Sequence, residues 1–164
     1  TGTMAETAAN GSGTKAESER VFSLRKLYIK DFSFEAPNSP GFFFETKLQP
    51  EVNLNIRTSH SDLGNGSTEA VLHMTAQSVA GERTAFLIAV AQAGLFQISG
   101  FSKEEARALI GVHCPNALFP YAREAISSMV QRGGYPSLVL QPMDSAGLFA
   151  QASQDAAASK ASQS

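Results

Sequence analysis

TAFLIAVAQAGLFQI, residues Thr84 to Ile98, is the stretch that decides the fold. Read as an extended chain, it puts Phe86, Ile88 and Val90 on one side and Leu87, Ala89 and Ala91 on the other. Both sides are apolar, whereas a small antiparallel sheet ordinarily leaves one face to water. The continuous apolar run, Ala85 to Ala91, is far shorter than the ~20 residues that cross a bilayer, so it is read as a covered strand.

Working back from this strand, Ala70, Leu72, Met74 and Ala76 alternate with polar neighbours, and so do Val52, Leu54 and Ile56. Gly64-Asn65-Gly66 and Gly81-Glu82 separate these runs as hairpin turns, so strands two to four form an antiparallel meander. Strand one is Val21 to Phe34. Its apolar residues switch face, from Phe22 and Leu24 to Leu27 and Ile29 to Phe32 and Phe34, which calls for a bulge or for cover on both faces. Between strands one and two, Glu35 to Gln49 carries Pro37, Asn38, Pro40 and Gly41, which forbid a tight hairpin and demand a longer crossover.

Working forward, Ser102 and Glu105 form a capping box that opens a short helix to about Ile110. Leu118, Ala122, Ala125, Ile126, Met129 and Val130 recur at spacings of three and four, an amphipathic helix with Pro120 expected in its first turn and Gly133-Gly134 as its stop. Tyr135 to Met143 holds two prolines and is extended. Asp144 or Ser145 then caps a last weak helix with Leu148 and Phe149. The expected class is α+β: a four-stranded antiparallel sheet, with a long crossover after strand one, packed against C-terminal helices.

At 164 residues and 17.4 kDa, the chain has the size of one domain. Residues 1–18 are small and polar and read as a disordered arm, with Met4 a candidate native start. Residues 19–149 are read as the folded domain and 150–164 as a flexible Ala/Ser-rich tail. Lys and Arg number 13 against 15 Asp and Glu, a net charge of −2 that excludes nucleic-acid binding through a general basic surface. One cysteine allows no internal disulfide, and no signal peptide is legible, so a reducing cytoplasmic location is expected. Charged residues are only 17%, which suggests that part of the surface is covered by something.

Catalytic constellations are scarce. His60, His73 and His113 have no metal-ligand spacing, and His73 is expected among polar neighbours. His113-Cys114 is more simply a buried cysteine at a helix junction than a thiol–base pair. Apolar loops stand out instead: Phe42-Phe43-Phe44 in the crossover, and Tyr135, Leu138, Val139 and Leu140 after the long helix. Loops ordinarily carry polar residues, and two apolar ones beside an open sheet face describe a groove.

Four segments, KDFSFEAPNSP (Lys30–Pro40), LQPEVNLNI (Leu48–Ile56), TAFLIAVAQAGLFQI (Thr84–Ile98) and CPNALFPYAREAISSMVQRG (Cys114–Gly133), closely resemble the bacterial protein-export chaperone family SecB, as does YPSLVLQPM (Tyr135–Met143). The resemblance spans about Val21 to Phe149. It implies a homotetramer, a dimer of dimers partly buried through the helix Leu118–Arg132. It further implies an ATP-independent holdase, with no enzymatic activity, no cofactor and no bound metal, that keeps unfolded precursor proteins translocation-competent and delivers them to the SecA translocase ATPase. Client contacts are then expected at Phe42, Phe43 and Leu48 in the crossover, at Val52, Leu54 and Ile56 on strand two, and at Tyr135, Leu138 and Leu140. For Val52, Leu54 and Ile56, packing on a helix inside the subunit is the rival role. The resemblance places SecA docking, through that partner's basic zinc-containing tail, on Asp31 and Glu35 with Leu87 beside them. Two departures stand out. Ala89 replaces a common acidic residue, a lost charge that would weaken the dock, shift it or leave more of it to Glu82, and Leu48 replaces an aromatic in a crossover one residue longer than usual. Two other functions are weighed: a SecB-like chaperone dedicated to one partner, such as a toxin–antitoxin pair, and a binder of a small hydrophobic ligand.

Overall fold

A computed structural model describes residues 19–45, 49–150 and 154. The arm at 1–18, Leu48, and the tail beyond Ala150 other than Gln154 lie outside the described residues.

Four strands make one antiparallel sheet: β1 (Val21–Glu35), β2 (Glu51–Gly64), β3 (Ser67–Ala80) and β4 (Arg83–Ser99), in the order β1-β4-β3-β2. The doubly apolar run is therefore an interior strand, flanked by β1 and β3. Its outer-face Ala91 and Ala93 are covered by Val71 and Tyr28 from these neighbours, while Leu87 and Ala89 stay half-exposed. The face switch in β1 is two register shifts, between Leu24 and Lys26 and between Ile29 and Asp31. At the second, buried Gln92 donates to the Tyr28 carbonyl across 3.1 Å, so the irregular backbone keeps its hydrogen bond.

β2 runs much further than its alternation signals. After Ile56 the chain reads RTSHSDLG, and pairing with β3 holds it extended although exposed Leu63 is the one apolar residue left. The turn that ends it, Gly64-Asn65-Gly66, has φ of 80°, 54° and 77°, a left-handed course that two glycines and an asparagine tolerate.

The helices are more continuous than the sequence suggests. Ser102 caps α1 (Lys103–Ala108) through the expected box with Glu105. A π turn, Leu109–His113, then runs straight into α2 (Cys114–Arg132). The helix thus starts four residues before Leu118, with Pro115 in its first turn, and Pro120 lies inside it rather than at its start. Pro120 and Asn116 are both exposed, so water can reach the carbonyl that lacks an amide partner. Asp144 is the cap of a last helical segment over 145–150 (α3): its Oδ1 accepts from the Gly147 amide at 2.9 Å. Ser145 instead donates to Asn116 at 2.6 Å, tying α3 to α2.

The core lies between α2 and the inner faces of β4 and β3. Leu118, Ile126 and Val130 are fully buried against Leu72, Met74, Ile88 and Phe96. Gly94 lets the helix come close: a Cβ there would stand 2.8 Å from Phe96 and 3.0 Å from Leu118. Leu118→Ala is expected to cost about 2–5 kcal/mol of unfolding free energy, read by urea unfolding at one fixed protein concentration. A loss below ~1 kcal/mol would mean that this layer is not the core.

Candidate functional site

The crossover is pinned to the start of β4. Asn38 Nδ2 donates to the Thr84 carbonyl at 2.9 Å, and Arg83 pairs with Glu45 while lying 5.9 Å over the Phe42 ring. The Phe triplet folds into a 3₁₀ turn, Gly41–Phe44, which turns its rings apart. Phe42 is 7% exposed and joins the core, Phe43 is exposed, and Phe44, at 82%, is almost bare. Tyr135 is the hub: its ring centroid lies 6.1 Å from Phe42, 5.3 Å from Phe43 and 5.2 Å from Phe86. Its hydroxyl donates to the Ala85 carbonyl at 3.0 Å.

A separate groove of about 480 Å³ runs between β2 and the segment 138–144. Val52, Leu54 and Ile56 form one wall, and Leu138, Val139, Leu140 and Met143 the other, with Leu148 of α3 at its end. Pairing of Leu54 with Ala76 and Ile56 with Met74 puts these β2 residues on the helix-facing side of the sheet. They are not buried by α2: Val52 and Leu54 remain 40% and 41% exposed. The expected contacts therefore fall into two clusters, one aromatic (Phe42, Phe43, Tyr135) and one aliphatic (Val52, Leu54, Ile56, Leu138, Leu140). Within them Phe42 and Leu140 are buried and form the floor, not the open surface. Met143 and Leu148 also line the groove; Met143 escapes a reading based on loop hydrophobicity because it stands between Pro142 and Asp144, and Leu148 because it was read only as part of the last helix.

The outer face carries a different surface. Asp31, Ser33 and Glu35 of β1 stand opposite Ala91, Ala89 and Leu87 of β4. Asp31, Glu35 and Leu87 are thus brought onto one patch, with Ala89 between them and both carboxylates exposed. Further along, the Tyr28 hydroxyl donates to Glu69, and Lys30 Nζ reaches the same carboxylate at 2.9 Å. Those two bonds, Tyr28 first, hold the Glu69 carboxyl below its ordinary value. Burial and the same carboxylate push Tyr28 up to about 12. His73 Nε2 lies 3.1 Å from Ser59 Oγ, its pKa lowered by burial and then by the charges of Arg57 and Lys30. Cys114 is buried with its thiol pushed up to about 12 by desolvation, so it carries little thiolate at neutral pH.

Comparison with known proteins places this geometry. The family model for SecB, preprotein translocase subunit SecB, matches residues 15–156. The protein-export protein SecB of Chromohalobacter salexigens is 44% identical over 146 residues, covering 88% of each chain. That of Nitrosococcus oceani is 40% identical over 152 residues, covering 92% of this chain and 93% of its own. A solved Mycobacterium tuberculosis SecB-like chaperone, in complex with a peptide from the HigA1 antitoxin, shares the fold. It does so at a TM-score of 0.63 and 16% identity, over 74% of this chain and 90% of that one.

Because Glu69 is held low, its ionised form stabilises the fold above the ordinary carboxylate range, and that contribution is lost as pH falls through the lowered value. Tyr28→Phe is expected to move the Glu69 titration back up, as followed by NMR. An unmoved titration would mean that the phenol contributes nothing to it.

Proposed function

The chain belongs to the SecB family of protein-export chaperones, and from that premise we propose an ATP-independent holdase that grips unfolded precursors along β2. The observation that carries this reading is the uncovered inner face of β2, where Val52 and Leu54 are about as exposed as they are buried. An unfolded precursor offers apolar side chains and backbone, whatever its sequence. The groove matches both, with aliphatic walls and, on β2, a strand whose outer edge has no neighbour in the sheet among the described residues. Each large apolar client side chain buried contributes roughly 1.5–3 kcal/mol before ordering costs. A few such contacts bind weakly and release quickly, as a holdase requires. A homotetramer, assembled as a dimer of dimers, would link several grooves and raise avidity ~10²–10⁴-fold. The exposed Phe22, Leu24 and Ile29 on edge strand β1 support such an assembly. The reaction is holding rather than bond chemistry, and the site of action is the cytoplasm, where precursors emerge.

Delivery to SecA uses the outer patch of Asp31, Glu35 and Leu87, whose carboxylates attract a basic, zinc-containing tail. Ala89 leaves an uncharged gap at its centre. The single-partner alternative is weaker: identity to protein-export relatives is 40–44%, against 16% to the SecB-like chaperone seen with an antitoxin peptide. A small-ligand binder is disfavoured because the groove is open along its length.

Leu54→Arg is expected to weaken binding of a denatured precursor about tenfold, the loss of one leucine's burial partly recovered by neighbours. Light scattering should report an unchanged mass, and a smaller mass would mean that Leu54 serves an interface between copies. Reversing Asp31 and Glu35 together to Lys is expected to weaken SecA binding at low salt and to leave precursor binding intact. Unchanged SecA affinity at low salt would contradict the outer patch.

A further inference from the structure

The second bulge of β1 puts two opposite charges side by side on the outer face of the sheet. Asp31 pairs with Ala91 there, and Lys30, the extra residue between Ile29 and Asp31, has no partner on β4. In a regular strand consecutive side chains point to opposite faces, which would send Lys30 toward the helix side. The bulge instead lets Lys30 reach Glu69 of β3 on the outer face, at 2.9 Å. Consecutive Cα atoms stand about 3.8 Å apart, so Lys30 is a neighbour of Asp31 as well, yet its ion pair is with Glu69. Both oxygens of that carboxylate are engaged: Oε1 accepts from Lys30 and Oε2 from the Tyr28 hydroxyl. Tyr28, opposite Ala93, spans β4 to reach it and packs against buried Val71, Ala91 and Ala93. The Glu69 side chain is 18% exposed against 47% for Lys30, so Glu69 is a poor docking group in its own right. Other outer-face cations lie further off. His73 stands across Ala91 from Asp31, two strand spacings or roughly 10 Å away, with Arg57 one strand beyond it and Lys26 opposite Leu95.

We propose that Glu69, braced by Tyr28, is a positioning residue for the outer patch: it draws Lys30 away from Asp31 and leaves that carboxylate open to a basic partner. The proposal rests on the reading of Asp31 and Glu35 as the SecA dock. Glu69 touches no residue of the partner in this role. Freed from Glu69, the Lys30 ammonium swings on its flexible four-carbon stem to the adjacent carboxylate and competes there with the partner's cations. The competition is local, because exposed charges are screened by salt and act little at a distance. Tyr28 contributes by fixing the Glu69 carboxylate toward β1, where Lys30 can find it.

The test is a double-mutant cycle on SecA binding to the full chain, titrated by fluorescence anisotropy at low salt. Glu69→Gln is expected to weaken binding roughly three- to fivefold, the range of one exposed ion pair, with precursor binding and assembly mass unchanged. Lys30→Gln in that background should restore the affinity, whereas Lys30→Gln alone should change it by less than about twofold. A loss that Lys30→Gln does not repair, or equal gains from it in both backgrounds, overturns the proposal, the first pointing to damage of the sheet and the second to net charge alone. Should Glu69→Gln fail to fold, Glu69→Met with Tyr28→Phe frees Lys30 without leaving a polar atom unpaired, and the same loss and rescue are expected. Asp31→Asn separates the two readings. If it weakens SecA binding while freeing Lys30 does not, the positioning role is overturned and the dock stands. If Asp31→Asn leaves SecA binding unchanged, the dock reading falls and takes the proposal with it.

Discussion

One helix cannot cover four strands. An α-helix with its side chains is about 10 Å across, while four strands at ~4.8 Å spacing span roughly 14 Å between their outermost axes. α2 therefore settles over β4 and β3, where Gly94 admits it closely and Leu118, Ile126 and Val130 find fully buried partners. The two edge strands keep inner faces that are apolar in sequence but short of cover. On β1 these residues are Phe22, Leu24 and Ile29, and on β2 they are Val52 and Leu54. The bare inner faces of both edge strands follow from this one mismatch of widths.

The loops complete what the helix leaves undone without closing it. Tyr135 locks the start of the returning segment to the crossover and to Ala85, and 138–143 then runs along β2 at the distance of a groove rather than of a core. Leu140 is buried while its neighbour Val139 is 78% exposed, so the segment has an inner and an outer side like a strand, yet it pairs with no strand of the sheet.

Most of the fold was legible because its signals are periodic. Strict alternation marks β3 and the start of β2, spacings of three and four mark α2, and glycine pairs mark the turns. What was not legible depended on partners. The second half of β2 has no apolar alternation, Leu63 standing alone among polar residues, and β3 holds it as a strand. The interior place of Pro120 depends on a π turn that fuses two helices, which no local pattern announces. Within the candidate site, loop hydrophobicity picked out segments that the fold brings beside β4 and β2, but it could not separate floor from wall. Phe42 and Phe43 are neighbours of the same type, and only the 3₁₀ turn sends one inward and the other out.

Hydrogen exchange on the full chain, with and without a chemically unfolded precursor, tests most directly whether the bare inner face of β2 is where clients lie. The account predicts added protection along 51–60 and 138–143, with the β4 amides unchanged. Protection confined to the outer-face residues of β1, or to α2, with β2 exchanging as before, would contradict it.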